Sequence, residues 1–272
     1  MTARLAVWGA PIDHSKSPAL HTAAYRALGL DWEYGRKHVD AEHFAAELAQ
    51  GDATWRGLSL TMPLKEVAFR SATRHDRHAE LTGAVNTLLF ADALHGFNTD
   101  VGGIIDALAE NGIRSLASAR ILGAGATAAS ALVAASEMGA QHVDLRARRP
   151  ERAGEIARLG ERLGVSVAVS DFLSPASDVD ATIATLPTGT VLDADVTRPL
   201  AATGGVLLDA AYAPWPSALA SVWNSAGAIS GLAMLFNQAV RQVRVFVHGD
   251  PLIELPDEAR VRDEMYTALM GD

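Results

Sequence analysis

The chain has 272 residues, 49% hydrophobic and 20% charged, with a net charge of −9 and no cysteine. That length supports one large or two modest domains with ample core; the missing cysteines exclude disulfides, thiolate metal sites and a cysteine nucleophile, and the acidic balance argues against a general nucleic-acid binder. No apolar run is long enough to cross a bilayer, and the short run at residues 5–10 is cut off by Pro11 and Asp13, so it reads as a strand and the cytoplasm is the expected compartment.

Leu5-Ala-Val-Trp-Gly9 predicts a first strand, which feeds the polar loop Ala10-Pro-Ile-Asp-His-Ser-Lys-Ser-Pro18. Leu20, Ala23, Ala24, Ala27 and Leu28 then recur at helical spacing. This places Ser17 as N-cap and Pro18 at the first helical position. Ser15 has no part in that cap, and two hydroxyls near a helix N-terminus also suit a carboxylate. Trp32-Glu-Tyr-Gly-Arg-Lys-His-Val39 predicts a second strand, and residues 41–49 a helix. In Gly57-Leu-Ser-Leu-Thr-Met-Pro-Leu-Lys-Glu66, Leu58 and Leu60 alternate with Ser59 and Thr61, as in a half-buried strand that delivers Thr61 to its end. Pro63 stops that strand and opens a helix carrying Lys65, where a lysine sits poorly against the helix dipole. Gly83-Ala-Val-Asn-Thr-Leu-Leu89 predicts a strand with Asn86 inside it, and Leu94-His-Gly-Phe-Asn-Thr-Asp100 follows a short turn at 91–93. Asp100 precedes Val101-Gly-Gly103 and a helix over 104–110, whose N-terminal cap is its simplest role. Nine histidines are present, so His14 is expected at the surface or in packing, and no His/Asp/Glu cluster has metal spacing.

Arg120-Ile-Leu-Gly-Ala-Gly-Ala-Thr-Ala-Ala129 reads as the end of a buried strand, a glycine turn and the start of a helix. Gly123, Ala124, Gly125, Ala126, Thr127 and Ala128 make the pattern G-x-G-x-x-A, which lets a pyrophosphate approach the backbone at a helix N-terminus. By itself the pattern fits a plain tight turn equally well. The following strand, His142-Val-Asp-Leu145, runs into Arg146-Ala-Arg-Arg-Pro-Glu-Arg152. An NAD site usually puts an acid about 20 residues on, for the ribose hydroxyls. Here Arg148, Arg149 and Arg152 suit a 2′-phosphate through paired donors, which favours NADP; the alternative is a solvated charged loop. Asp144 sits mid-strand in this reading. Strands at 121–122, 143–145, 165–169, 181–184, 206–209 and 228–229, with helices over 128–138 and 151–163, predict a parallel, doubly wound sheet. Residues 231–246 predict a helix with Leu232, Leu235, Phe236 and Ala239 on its apolar face.

Seven of these stretches, in this order, resemble the motifs of the shikimate dehydrogenase family. They are Pro11-Ile-Asp-His-Ser-Lys-Ser-Pro-Ala-Leu-His21, Leu60-Thr-Met-Pro-Leu-Lys-Glu66, Gly83-Ala-Val-Asn-Thr-Leu88, Asn98-Thr-Asp100, the Gly123 turn with the arginines at 148–152, Asp209-Ala-Ala-Tyr-Ala-Pro214 and Met234-Leu-Phe-Asn-Gln238. The resemblance implies two α/β domains with the active site between them. Residues 1–101, completed by C-terminal helices over 231–272, would form a substrate domain, and residues 102–230 a Rossmann-like NADP domain. It implies an oxidoreductase acting on CH–OH, reversibly reducing 3-dehydroshikimate to shikimate on the route to chorismate and the aromatic amino acids. By resemblance, Lys65 and Asp100 are the catalytic pair. Ser15, Ser17 and Tyr212 meet the substrate carboxylate, and Thr61, Asn86 and Gln238 meet its hydroxyls. Gly231 joins residues 123–128 and the arginines at the cofactor. No metal, nucleic acid or membrane is implied, and the chain is expected as a monomer or homodimer. Departures lie mostly around the cofactor. Ser59 replaces an asparagine, Ala147 and Arg149 replace residues of an Asn-Arg-Thr motif, and Thr185-Leu-Pro-Thr-Gly189 lacks the usual Asn-Ala-Thr-Ser start. The alternatives are an NAD-dependent quinate/shikimate dehydrogenase and a non-catalytic metabolite-binding regulator on the same fold.

Overall fold

The computed structural model describes residues 2–223 and 227–271, apart from the side chain of Arg152. The chain divides into one unit of Met1–Thr99 with Gln238–Asp272 and a second of Asp100–Asn237.

The first unit begins with β1 (Ala3–Gly9), α1 (Ser17–Leu28), β2 (Trp32–His38), α2 (Phe44–Leu48) and β3 (Trp55–Leu60). It continues with α3 (Lys65–Ser71), β4 (Arg74–His75), α4 (Arg77–Thr82), β5 (Thr87–Phe90) and β6 (Leu94–Phe97). Its mixed sheet has the order β2-β1-β3-β5-β6-β4. β1 runs parallel to β2 and β3, and β5 runs antiparallel to both β3 and β6. β1 and β3 are central, so apolar residues run through them without alternating: Leu5, Ala6, Val7 and Trp8 are all buried. For the same reason Ser59 is not on a solvated face. It is 2% exposed, between Leu58 and Leu60, and the expected half-buried alternation of β3 is wrong. The Trp8 ring stands edge-on to both Phe44 and Trp55, each at 6.0 Å, in a core shared with Leu58, Leu60, Leu64 and Leu88.

Local chemistry moves several expected boundaries. The hydroxyl that accepts a helix N–H at α1 belongs to Ser15, which takes the Ser17 N–H at 3.3 Å; Ser17 is already helical. Gly83, at φ 64°, closes α4 as a left-handed cap, so Asn86 lies just before β5 and not inside a strand. The helix after Asn98 starts at Asp100 itself and contains Val101, Gly102 and Gly103. α4 and β4 were not expected: six and two residues carry too little periodicity to stand out.

The second unit contains α5 (Asp100–Glu110), β7 (Ser118–Leu122), α6 (Ala126–Glu137), β8 (His142–Arg146), α7 (Gly154–Leu163), β9 (Ser166–Ser170), β10 (Ala181–Ala184), α8 (Ala194–Ala202), β11 (Val206–Asp209) and β12 (Ala228–Ser230). A turn of 3₁₀ helix, Pro150–Arg152, precedes α7 where an unbroken helix from 151 was expected. α8 was not expected, because Pro199 lies inside it. All six strands are parallel, in the order β12-β11-β10-β7-β8-β9. This is the expected doubly wound sheet. Strand order reverses between β7 and β10, and ligands of such sheets bind beyond the strand ends at that point.

The chain then forms α9 (Gly231–His248) and α10 (Glu258–Gly271), and the division between units falls within α9, after Asn237. α9 is buried well beyond a single apolar stripe. Asn237, Gln238 and Gln242 are all under 9% exposed alongside Phe236, Ala239 and Val243.

One charged group is built into the second sheet. Arg120, wholly buried in β7, lies directly across from Asp144 in β8. Its Nε donates to Asp144 Oδ2 at 2.8 Å, and the Arg146 Nε donates to Oδ1 of the same carboxylate at 2.6 Å. The other guanidinium nitrogens donate to the Ser177 and Leu200 carbonyls and the Thr203 hydroxyl for Arg120, and to the Asp171, Ser174 and Pro175 carbonyls for Arg146. Removing one partner from a buried ion network strands the others, at about 3–5 kcal/mol. Asp144→Ala is therefore expected to lower the stability of the second unit by about that amount in denaturant unfolding, and a loss below about 1 kcal/mol refutes the role given to the triad.

Candidate active site

In the second unit, β7 ends at Leu122 and the chain turns at Gly123, whose N–H donates to the Arg146 carbonyl at 2.8 Å. Gly123 has φ 112°, and a Cβ there would lie 2.5 Å from Thr185 Oγ1. Only glycine fits this turn. A Cβ on Gly125, by contrast, would meet nothing within 4 Å, so the space over its backbone is open. Directly after it α6 begins at Ala126, and the first N–H groups of a helix have no intrahelical carbonyl to bond. The bond from Gly123 to Arg146 sets this turn beside the end of β8, where Arg148 and Arg149 are exposed. Together the open turn, the helix start and two exposed guanidiniums fit a dinucleotide carrying an extra phosphate. Asp144 is taken up by Arg120 and Arg146 and offers no carboxylate for ribose hydroxyls. The side chain of Arg152 lies outside the described residues. Gly231 opens α9 and its N–H donates to the Ala211 carbonyl at 3.4 Å, next to Tyr212. Tyr212 is half-buried, and burial pushes its phenol up from the ordinary tyrosine value.

In the first unit the expected substrate residues gather beyond the ends of β1 and β3. Thr61 follows β3, its N–H donating to the Trp8 carbonyl at 3.0 Å. Lys65 opens α3, and its carbonyl accepts the Val85 N–H at 2.9 Å, which ties it to the residue before Asn86. Asn86 is 2% exposed. Its Oδ1 accepts from the Thr99 N–H at 2.9 Å and from Thr87 Oγ1 at 2.8 Å, while its Nδ2 donates to Thr99 Oγ1 at 2.9 Å and to Gln238 Oε1 at 3.3 Å. Asp100, 4% exposed, follows Thr99 directly and is the first residue of the second unit.

Below this layer lies a second set of polar side chains that sequence reasoning missed. Gln242 Nε2 donates to the Asn86 carbonyl and to Thr87 Oγ1, both at 3.0 Å. Gln242 Oε1 meets Ser59 Oγ at 2.8 Å and His21 Nε2 at 3.1 Å. The His21 Nδ1 lies 3.1 Å from the Tyr25 hydroxyl, and its ring stacks on Tyr34 at 4.1 Å. The Tyr34 hydroxyl is shut off from solvent beside Ser17 and Ser59, and burial pushes its phenol well above the ordinary tyrosine value, against smaller opposing effects of those two hydroxyls. The available signal was Gln242 four residues after Gln238, a second amide on the same face of an apolar helix.

A model of the shikimate dehydrogenase substrate-binding domain matches residues 7–88. The shikimate dehydrogenase (NADP(+)) of Methanothermobacter thermautotrophicus is 33% identical over 269 residues, covering 94% of this chain and 95% of that protein. The chain belongs to the shikimate dehydrogenase family. The crystal structure of the Mycobacterium tuberculosis shikimate dehydrogenase superposes with a TM-score of 0.85 at 36% identity, covering 99% of this chain and all of that one. The Thermus thermophilus enzyme, solved with NADP(H) and shikimate, gives a TM-score of 0.80 at 29% identity over 98% of this chain and 100% of that one. No helix among the described residues is long and apolar enough to cross a membrane.

Burial lowers the His21 pKa from 6.5 to about 3, against a smaller opposing effect of its bond to Gln242. A histidine depressed in the folded state costs no stability above pH 6.5, where both states are neutral. Below that, the unfolded chain takes up a proton that the folded one refuses, and stability falls by about 1.4 kcal/mol per pH unit toward pH 3. The His21 imidazole is thus expected to show no titration above pH 4 by NMR, and His21→Leu to flatten the acid side of the stability profile. A midpoint near pH 6 would contradict this.

Proposed function

We propose that this chain is an NADP-dependent shikimate dehydrogenase, interconverting 3-dehydroshikimate and shikimate. The observation that carries the reading is that Asn86 bonds Gln238 one residue after Val85, whose N–H meets the Lys65 carbonyl, while the second unit holds an open glycine turn beside two exposed arginines. The family's solved relatives, one of them with NADP(H) and shikimate, support the same assignment.

Gly123–Ala128 and Gly231 would hold the dinucleotide, with Arg148, Arg149 and Arg152 at its 2′-phosphate. When bound, NADPH supplies the hydride for the substrate's keto carbon. Lys65 then stabilises the negative charge that develops on the carbonyl oxygen and gives it a proton, with Asp100 orienting the ammonium and accepting from a neighbouring hydroxyl. Ser15 and Ser17, at the start of α1, suit the substrate carboxylate, with Tyr212 helping. Thr61, Asn86 and Gln238 meet hydroxyls. The division between the catalytic pair places Lys65 in the substrate unit and Asp100 as the first residue of the next. The reaction needs only small-molecule partners, and the reading carries with it a cytoplasmic monomer or homodimer.

A spectrophotometric assay with shikimate and quinate against NADP+ and NAD+ tests the proposal. Shikimate with NADP+ is expected to be the preferred pair, and a preference for NAD+ or inertness toward shikimate would sink it. Lys65→Ala is expected to lower kcat by about 100-fold or more with little change in KM, and wild-type turnover would remove Lys65 from the mechanism. Arg148→Ala with Arg149→Ala is expected to weaken NADPH binding and spare NADH; equal weakening of both would contradict contact with the 2′-phosphate.

A further inference from the structure

We infer that Gln242 is a positioning residue for Asn86, a role that rests on the functional reading above. The inference starts from two backbone groups whose hydrogen-bonding sense cannot be reversed. The Thr99 N–H can only donate, so the Asn86 atom 2.9 Å from it is the amide oxygen. The Asn86 carbonyl can only accept, so the Gln242 atom 3.0 Å from it is the amide nitrogen. Every other proton in the cluster follows. Thr87 Oγ1 accepts from Gln242 Nε2 and therefore spends its own proton on Asn86 Oδ1. Gln242 Oε1 receives the Ser59 hydroxyl and an N–H from His21 Nε2. The neutral His21 then accepts the Tyr25 hydroxyl at Nδ1.

Two consequences follow for Gln242. First, the Gln242 amide is saturated. Both its N–H groups and both acceptor positions are used inside the protein, so nothing remains for substrate. Second, it grips Asn86 twice, at the carbonyl directly and at Oδ1 through Thr87. With Oδ1 held by Thr87 and by the Thr99 backbone, Asn86 turns its NH2 toward Thr99 Oγ1 and Gln238. Asn86 can then meet a substrate oxygen only as a donor, by giving up its 3.3 Å bond to Gln238 Oε1, and Gln242 keeps the amide from flipping. Ser59 belongs to the same device. Its hydroxyl fills the acceptor that would otherwise leave Gln242 Oε1 half-used.

A double-mutant cycle tests this, using Gln242→Met, Asn86→Ala and the two combined, each first checked for cooperative thermal unfolding. If Gln242 acts through Asn86, Gln242→Met lowers kcat/KM for shikimate about ten-fold or more while KM for NADP+ holds. The double variant should then be no worse than Asn86→Ala alone. Multiplying losses, or unchanged kcat/KM in Gln242→Met, overturn the role; a lowered melting temperature with unchanged kinetics also overturns it, since that is what a merely structural residue would show. If Gln242→Met does not fold, Thr87→Val cuts the other arm of the grip and must give the same non-additivity with Asn86→Ala. A wild-type protein inactive on shikimate overturns the functional reading and this role with it. Active wild type with additive variants overturns the positioning role alone.

Discussion

The hydrogen bond from the Thr99 backbone N–H to Asn86 Oδ1 is the constraint on which the substrate-side geometry depends. It joins the segment leading into β5 to the segment leading out of β6, and it gives the side-chain network its sense. In a polar cluster this deeply buried, a half-satisfied network costs more than an apolar core. The scaffold solves this by anchoring both ends on main-chain groups and by using amides and hydroxyls, which need no counter-charge. The one titratable member bonded to Gln242, His21, is kept neutral by burial.

The two units handle polarity differently. The first buries neutral side chains around Asn86, whereas the second buries full charges and answers them with Asp144 and backbone carbonyls. The difference matches their work. A substrate pocket gains from donors and acceptors of fixed direction, while the loop from β9 to β10 gains from being strapped down by guanidiniums with many donors. At the glycine turn the chain instead leaves space, with no side chain over Gly125.

The second unit was legible in the sequence because its signals are local. G-x-G-x-x-A needs only a turn and a helix start, and strands alternating with helices announce a parallel sheet. The residues proposed for the site in the first unit were singled out for the same reason: Ser15, Thr61, Lys65 and Asn86 each stand in a recognisable short motif. What escaped was the layer beneath them. Gln242 meets Ser59, His21 and Asn86 from sequence distances of 183, 221 and 156 residues, and no periodicity encodes such a meeting. Ser59 was read onto a solvated face because alternation is ambiguous in a strand covered on both sides. α8 carries a breaker, Pro199, inside it, which works against a helical reading of the stretch.

Asp144 carries a consequence for how this protein can change over evolutionary time. An enzyme drifting toward the unphosphorylated dinucleotide needs an acid near the end of its second Rossmann strand, and this chain already has one close by. That acid is not free to be recruited. Both its oxygens are committed to Arg120 and Arg146, and those in turn secure the stretch from 171 to 177. A lineage crossing between coenzymes would have to place a fresh carboxylate on the exposed side of the strand end, since diverting the existing one would release the stretch from 171 to 177. Asp144 itself is thereby kept out of coenzyme choice.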